Sequence, residues 1–97
     1  MDWQVVFSAR SKSDLKEIVA FIALDDPAAA RRFGGALIEK AEALASAPEM
    51  GPTLPQKLNT RFFPVGAYFS IYRPDPERRI VRILRFWHTA RHQRPLR

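Results

Sequence analysis

Hydrophobic and polar positions follow strand periodicity most clearly late in the chain, where two strand-like runs flank a turn. The run from Tyr68 to Arg73 is aromatic and β-branched, and the run from Ile80 to His88 is apolar with arginines set into it. Pro74-Asp75-Pro76 lies between them. Because proline has no N–H and a fixed φ, we expect this segment to continue neither strand. The pattern predicts a β-hairpin with a loop longer than the tightest kind.

Two helices are predicted before this hairpin. The first has its N-cap at Ser11, three residues before the reciprocal acid Asp14, and Asp14 is placed off the apolar face. The second runs from about Pro27 to about Ala45, with Asp26 as its N-cap. The apolar stripe of the first helix, at helical spacing, consists of Leu15, Ile18, Val19 and Ile22.

Gly34 and Gly35 lie inside the second predicted helix, where each glycine is less favourable than alanine by about 1 kcal/mol. The link between the two helices is very short, so they form an α-hairpin. We therefore expect the glycines to allow close approach of the first helix.

Short β-type runs at Trp3–Phe7 and Arg61–Val65 complete the order β-α-α-β-β-β. This order predicts an α+β fold in which an α-hairpin packs on one face of a small antiparallel sheet. The run Ile80–His88 is apolar on both faces, as in a central strand. Strict alternation places Ile80, Arg82, Leu84, Phe86 and His88 on one face, and Val81, Ile83, Arg85 and Trp87 on the other.

The composition fits a single folded domain over residues 1–97, with a basic tail from about residue 89. Hydrophobic residues make up 46% of the chain, which is typical of a globular protein. The chain has no cysteine, which excludes disulfides, Cys-ligated zinc and a thiol nucleophile. We find no signal peptide and no apolar run that could span a bilayer, so we expect a cytoplasmic protein without membrane contact.

The positive charge is concentrated in the second half of the chain. The net charge of +6 divides into −2 over residues 1–50 and +8 over residues 51–97, where nine of the ten cations are arginine. Guanidinium groups suit phosphates and carboxylates, so the partner is expected to be a nucleic acid or an acidic protein segment. The alternative is that the arginines only keep a small domain soluble.

Few residues are candidates for chemistry. His88 at the strand end is either a general acid or base, or a histidine hydrogen-bonded to the backbone. Tyr68 and Tyr72 share a strand face and either stack on a partner or pack across strands. His88 and His92 have no carboxylate nearby, so no metal and no cofactor are expected, and neither a phosphate loop nor a nucleophile elbow is present.

Several strings together resemble a known family. They are Asp25-Asp26-Pro27 before a helix with Arg32-Phe33, Pro48-Glu49-Met50-Gly51, Tyr72-Arg73 with Asp75, and Ile83-Leu84-Arg85-Phe86-Trp87-His88. In this order, over nearly the whole chain, they resemble toxins of the RelE/ParE superfamily of bacterial type II toxin–antitoxin modules, closer to ParE.

The resemblance implies a cognate antitoxin that wraps the helices and sheet, in a toxin–antitoxin hetero-oligomer. ParE-type toxins are implied to poison DNA gyrase. RelE-type relatives are implied to be ribosome-dependent endoribonucleases, in which the ribose 2′-OH attacks the adjacent phosphate and cations stabilise the resulting charge. A degenerate toxin that only binds its antitoxin is the third possibility.

Carried over from the nuclease relatives, the catalytic candidates are His88, Arg61 and Arg85. Thr89 stands where those relatives have a tyrosine, and Phe69 stands near where they have an arginine. These departures favour an interpretation without RNA cleavage. Target contacts are then expected from Arg73, Arg82, Arg91, Tyr68 and Tyr72, and antitoxin contacts from Leu15, Phe33 and Phe62.

Overall fold

A computed structural model of the chain describes residues 3–90, in which two helices cover one face of a four-stranded sheet. The elements are β1 (Gln4–Phe7), α1 (Ala9–Ala23), α2 (Pro27–Ala43), β2 (Arg61–Val65), β3 (Tyr68–Asp75) and β4 (Ile80–His88). The predicted α+β class and element order are confirmed. Neither helix in this part of the chain is long and apolar enough to cross a membrane. Most of the predicted basic tail, including Arg91, lies outside the described residues.

The sheet is mixed, whereas the sequence predicted an antiparallel one. Its strand order is β1-β4-β3-β2, and β1 runs parallel to β4 while the other two pairs are antiparallel. Parallel neighbours need a long crossover connection, and the α-hairpin that follows β1 begins such a crossover. The prediction of β4 as a central strand is confirmed, and β2 lies at an edge of the sheet.

β3 extends further than predicted, because it includes Pro74 and Asp75. β2 begins at Arg61, opposite Tyr72, so Pro74 lies where β3 has β4 as its strand neighbour but has passed the end of β2. A proline is tolerated at such a margin of a sheet. The prediction that this segment would end the strand before Pro74 was wrong for that reason.

A β-bulge in β4 changes which side chains share a face. Tyr72 pairs with Ile83 and Ile71 pairs with Arg85, which leaves Leu84 as the extra residue. Val81, Ile83 and Phe86 therefore all face the helices, although strict alternation had separated Phe86 from the other two. The predicted face assignment is wrong beyond Ile83 because the bulge inserts one residue.

The helix starts follow capping rules, with one correction. Asp26 caps α2 through a hydrogen bond that its side chain accepts from the Ala29 N–H, as predicted. The N-cap of α1 is Ser8 and not Ser11, since the Ser8 hydroxyl accepts from the Ser11 N–H at 3.0 Å. The apolar side chains of the hydrophobic core are Ile18, Leu37, Ala41, Leu44, Val65, Tyr72, Val81, Ile83 and Phe86.

One of the two helix glycines lies at the contact between helices. A Cβ added to Gly34 would lie 2.9 Å from Val19 Cγ2, so only glycine fits without movement there. Gly35 is exposed, and an added Cβ would have no atom within 4 Å. The packing explanation is confirmed for Gly34, and nothing in the structure explains Gly35.

Candidate functional site

The face of the sheet turned away from the helices carries an adjacent pair of arginines. Arg73 on β3 and Arg82 on β4 are direct cross-strand partners, and both are exposed. Cross-strand partners point to the same face, so the two side chains project from neighbouring positions of the sheet. The sequence placed Arg82 correctly off the face of Val81 and Ile83, but the partnership with Arg73 depends on the register of the hairpin.

Arg73 is fixed by a buried hydroxyl. Its Nε and Nη2 donate to Thr60 Oγ1 at 3.3 and 3.0 Å, and Thr60 has no exposed surface. The Thr60 hydroxyl in turn donates to the Leu58 carbonyl at 3.0 Å. Arg82 makes no hydrogen bond or ion pair with any residue between 3 and 90. One guanidinium of the pair is therefore positioned, and its neighbour is available.

The arginine pair lines an open concavity of about 970 Å³ between the segment before β2 and the β3–β4 turn. Besides Arg73 and Arg82, its charged lining comprises Lys57, Arg61, Glu49, Asp75 and Glu77. Desolvation raises the pKa of the Asp75 carboxyl, but hydrogen bonds from the Arg78 backbone and side chain, with the charges of Arg78 and Arg82, outweigh it and lower that pKa. Asp75 thus forms its ion pair with Arg78, with 3.2 Å between Arg78 Nη1 and Asp75 Oδ2.

Arg61 and Tyr72 hold the segment before β2. Arg61 Nη1 donates to the carbonyls of Glu49 at 3.3 Å and Gly51 at 2.6 Å. The Gly51 N–H donates to the Tyr72 hydroxyl at 2.9 Å. Burial raises the pKa of that hydroxyl, partly offset by the Gly51 hydrogen bond and the Arg61 charge.

Tyr72 was wrongly assigned as a target contact. Its side chain has no exposed surface and belongs to the hydrophobic core, and its hydroxyl is used by Gly51. It shares the helix-facing side of the sheet with Ile83, because the register places the two opposite each other. An aromatic residue in a strand carries no sequence signal that distinguishes the two faces.

Arg85, three positions after Arg82, is held by an acid on α1. Its Nε and Nη2 donate to the two carboxylate oxygens of Asp14 at 2.8 and 3.2 Å, which is a bidentate pair. Its guanidinium also lies 4.8 Å from the centre of the Trp87 ring. Arg85 was a catalytic candidate, and the structure places it in an ion pair within the fold.

The same Asp14 closes the outer edge of β4. β1 ends opposite Ile83, and beyond that point the Phe86 N–H donates to Asp14 at 3.0 Å while the Ser8 hydroxyl donates to the Leu84 carbonyl at 3.0 Å. The sequence analysis placed Asp14 off the buried face, yet it is only 8% exposed. A signal was present, since Ser11, Asp14 and Ile18 follow helical spacing and are the buried residues of α1.

His88 lies at the other end of the hairpin, on the helix side. Its Nδ1 accepts a hydrogen bond from the Ala90 N–H at 3.0 Å, and its ring meets Tyr68 edge to face at 4.8 Å. The backbone hydrogen bond matches one of the two alternatives drawn from the sequence. His88 and Tyr68 line a groove of about 430 Å³ with Asp14 and the exposed Phe21.

The three catalytic candidates do not meet in one place. His88 is opposite Tyr68 and Arg61 is opposite Tyr72, four positions further along β3. At about 3.3 Å per residue, this separates the two backbones by about 13 Å along the strand. No group of three or more His, Cys, Asp or Glu residues in the described part of the chain could hold a metal ion.

The predicted antitoxin contacts lie on two faces. Leu15 and Phe33 pack against the core on the helix side, where the Phe33 ring is 5.6 Å from the Tyr68 ring. Phe62 contacts Phe69 instead, with ring centres 5.0 Å apart. Two large apolar side chains are mostly exposed near the end of α1, where Phe21 is 69% and Leu24 is 81% exposed. Sequence reasoning missed these two residues.

Comparisons with known proteins agree on one family of folds. The family model of the ParE toxin of the type II toxin–antitoxin system parDE matches residues 5–93. A structure of the chromosomal ParDE toxin–antitoxin system from P. aeruginosa is similar, with a TM-score of 0.74 and 17% identity, covering 89% of this chain and 95% of that chain.

A second similar structure is the toxin–antitoxin complex RelBE2 from Mycobacterium tuberculosis. Its TM-score is 0.71 at 28% identity, covering 91% of this chain and 99% of that chain. No curated protein sequence matches the chain.

Proposed function

This chain belongs to the ParE toxin family of type II toxin–antitoxin systems, and from that premise we propose that it inhibits growth by binding and poisoning DNA gyrase in the cytoplasm. Under this proposal the chain acts by binding and catalyses no reaction of its own. A cognate antitoxin neutralises it, in keeping with the toxin–antitoxin complexes among its structural neighbours.

The separation of the catalytic candidates supports binding over RNA cleavage. Cleavage at a phosphate needs a base, an acid and cations around one reacting group. Arg85 is paired with Asp14, and His88 lies on the helix side of the sheet, four positions along the hairpin from Arg61. The exposed Arg73 and Arg82 lie on the other face, where a large partner has access.

We propose that the antitoxin docks on the helix side, around the groove next to Phe21. Strand addition is disfavoured along β2 and along the part of β4 that extends beyond β1. Beyond β1, Ser8 and Asp14 occupy polar groups of the β4 edge. On β2 the Phe62 N–H donates to the Pro52 carbonyl, and Pro64, which faces the same way, has no N–H.

Co-purification of the tagged cognate antitoxin with variants of this chain tests the docking side. Phe21→Asp should reduce recovery strongly, because a charge would enter an apolar contact. Leu58→Asp is the matched control, since Leu58 is 84% exposed but lies in the segment before β2. Loss of recovery with Leu58→Asp and not with Phe21→Asp would place the antitoxin on the other side.

The function is tested with two cell-free assays run side by side on the purified chain. We expect inhibition of gyrase supercoiling and no effect on translation or on ribosome-bound mRNA. His88→Gln should leave supercoiling inhibition unchanged. mRNA cleavage on ribosomes that disappears in His88→Gln would establish the endonuclease alternative, and a chain inert in both assays that still binds antitoxin would be a degenerate toxin.

A further inference from the structure

We propose that Arg73 and Arg82, with Lys57 in the lining of the same concavity, form a binding site for a phosphate group of a nucleic-acid strand. The proposal rests on the proposed function, because it takes the face of the sheet that carries these arginines as the face that binds the target. It adds the chemistry of the ligand, and it can be tested without gyrase.

The first support is the repulsion between two like charges, which Asp75 offsets only in part. Like charges placed directly opposite each other on neighbouring strands destabilise a sheet. Arg73 and Arg82 are such a pair, and Asp75, whose charge acts on Arg82, is already bound by Arg78. An anion bridging the two guanidinium groups would remove the repulsion.

The second support is preorganisation. Thr60 Oγ1 accepts from Nε and Nη2 of Arg73, so this guanidinium is held in one orientation, and its Nη1 donates to no residue between 3 and 90. Less side-chain entropy is lost when an anion binds a guanidinium that is already fixed. Arg82 and Lys57 are exposed, and within residues 3–90 neither side chain has a hydrogen-bond or ion-pair partner.

The third support is the charge balance and shape of the concavity. Its lining has four cations and three carboxylates, which leaves a single net positive charge. A nucleotide unit brings one negative charge together with a large uncharged ring, whereas an acidic peptide brings several carboxylates close to Glu49, Asp75 and Glu77. Apolar walls at Leu58 and Pro74 can contact the ring.

The volume and the neighbouring surface agree with this ligand. A concavity of about 970 Å³ is large enough to take a nucleotide. Further along the same face lie the aromatic side chains of Phe62, Phe69 and Trp87, each partly exposed. Aromatic side chains beside a cationic groove are typical of surfaces that bind single strands.

Fluorescence anisotropy with short labelled single-stranded DNA and RNA of one sequence tests the site on the purified full chain. We expect Arg82→Gln and Arg73→Gln each to weaken binding about tenfold. Arg31→Gln is the matched control, because Arg31 is exposed on α2 and the variant removes the same charge. The control should change affinity less than about twofold.

Two results would overturn the proposal. One is an equal loss of affinity in Arg31→Gln, which would indicate attraction by net charge alone. The other is an acidic peptide that displaces the oligonucleotide as effectively as unlabelled DNA. If the chain does not inhibit gyrase but still binds the oligonucleotide in an Arg82-dependent way, gyrase is rejected as the target and the phosphate site is supported.

A second measurement does not depend on any macromolecule. Inorganic phosphate, compared with chloride at equal ionic strength, should raise the melting temperature of the native chain more than that of Arg82→Gln. The Arg31→Gln variant should respond like the native chain. Equal responses of all three proteins would contradict a phosphate site at the arginine pair.

Discussion

Arg82 and Arg85 lie three positions apart on one strand and project from the same face of the sheet, yet their surroundings are opposite. Arg85 is bound by both carboxylate oxygens of Asp14 and lies over Trp87. Arg82 faces another arginine and has no hydrogen-bond or ion-pair partner within residues 3–90. One arginine therefore holds α1 against the sheet, while the other is available to a ligand.

The largest effect is expected where the paired arginine loses its acid. Asp14→Ala leaves the Arg85 charge and the Phe86 N–H without their acceptor. We expect the free energy of unfolding to fall by about 3 kcal/mol. Urea denaturation measures this. Glu17→Ala, one turn on and exposed, should change stability little. A stability loss below about 0.5 kcal/mol in Asp14→Ala would mean that the ion pair of Arg85 contributes no more than an ion pair on the protein surface.

The next effect concerns the segment that forms the wall of the concavity. Tyr72→Phe removes the acceptor of the buried Gly51 N–H and should lower stability by about 1–2 kcal/mol. Burial raises the pKa of the hydroxyl, so its contribution is present below the ordinary tyrosine pKa and is lost as the pH rises through the raised value. Denaturation across alkaline pH should show this loss in the native chain and in Tyr68→Phe, and not in Tyr72→Phe.

A smaller effect of opposite sign is expected at the available arginine. Arg82→Gln removes the repulsion with Arg73 and should raise stability by a few tenths of a kcal/mol, about 0.3. Thermal unfolding at low salt is the sensitive measurement, since screening weakens the repulsion. A clear loss of stability in Arg82→Gln would show that this arginine, like Arg85, is structural.

The smallest effect belongs to Asp75. Because the pKa of its carboxyl is lowered in the fold, its contribution to stability is present above the ordinary aspartate pKa and is lost as the pH falls through the lowered value. Asp75→Asn should therefore match the native chain in strong acid and be slightly less stable at neutral pH. Glu77→Gln is the control, and an identical pH profile for both variants would contradict the role of Arg78.

Much of the fold follows from local patterns, and most of the site does not. Apolar spacing, the Asp26-Pro27 helix start and the alternating hairpin are properties of neighbouring residues, and they predicted the element order. The difference between Arg82 and Arg85 depends on a bulge at Leu84 and on an acid from α1. Neither has a local signal, because strict alternation is the default for a strand and Asp14 is 71 positions from Arg85.

The burial of polar side chains was the second feature that sequence patterns did not predict. Asp14 was assigned off the buried face because it lies off the apolar stripe of the first helix, and Tyr72 was assigned as a target contact. In the fold each has a long-range partner that satisfies it, Gly51 for Tyr72 and both Arg85 and Phe86 for Asp14. Helical spacing with Ser11 and Ile18 was a signal for the burial of Asp14, but the partners that satisfy Asp14 and Tyr72 are known only once the chain is folded.

The contact between Arg82 and the target is tested most directly by the concentration of the chain that halves gyrase supercoiling. This concentration is measured for the native protein and for Arg82→Gln at equal folded fraction. We expect the substitution to raise this concentration about tenfold, while Arg31→Gln leaves it nearly unchanged. Equal potency of Arg82→Gln and the native chain would contradict the claim that the available arginine contacts the target.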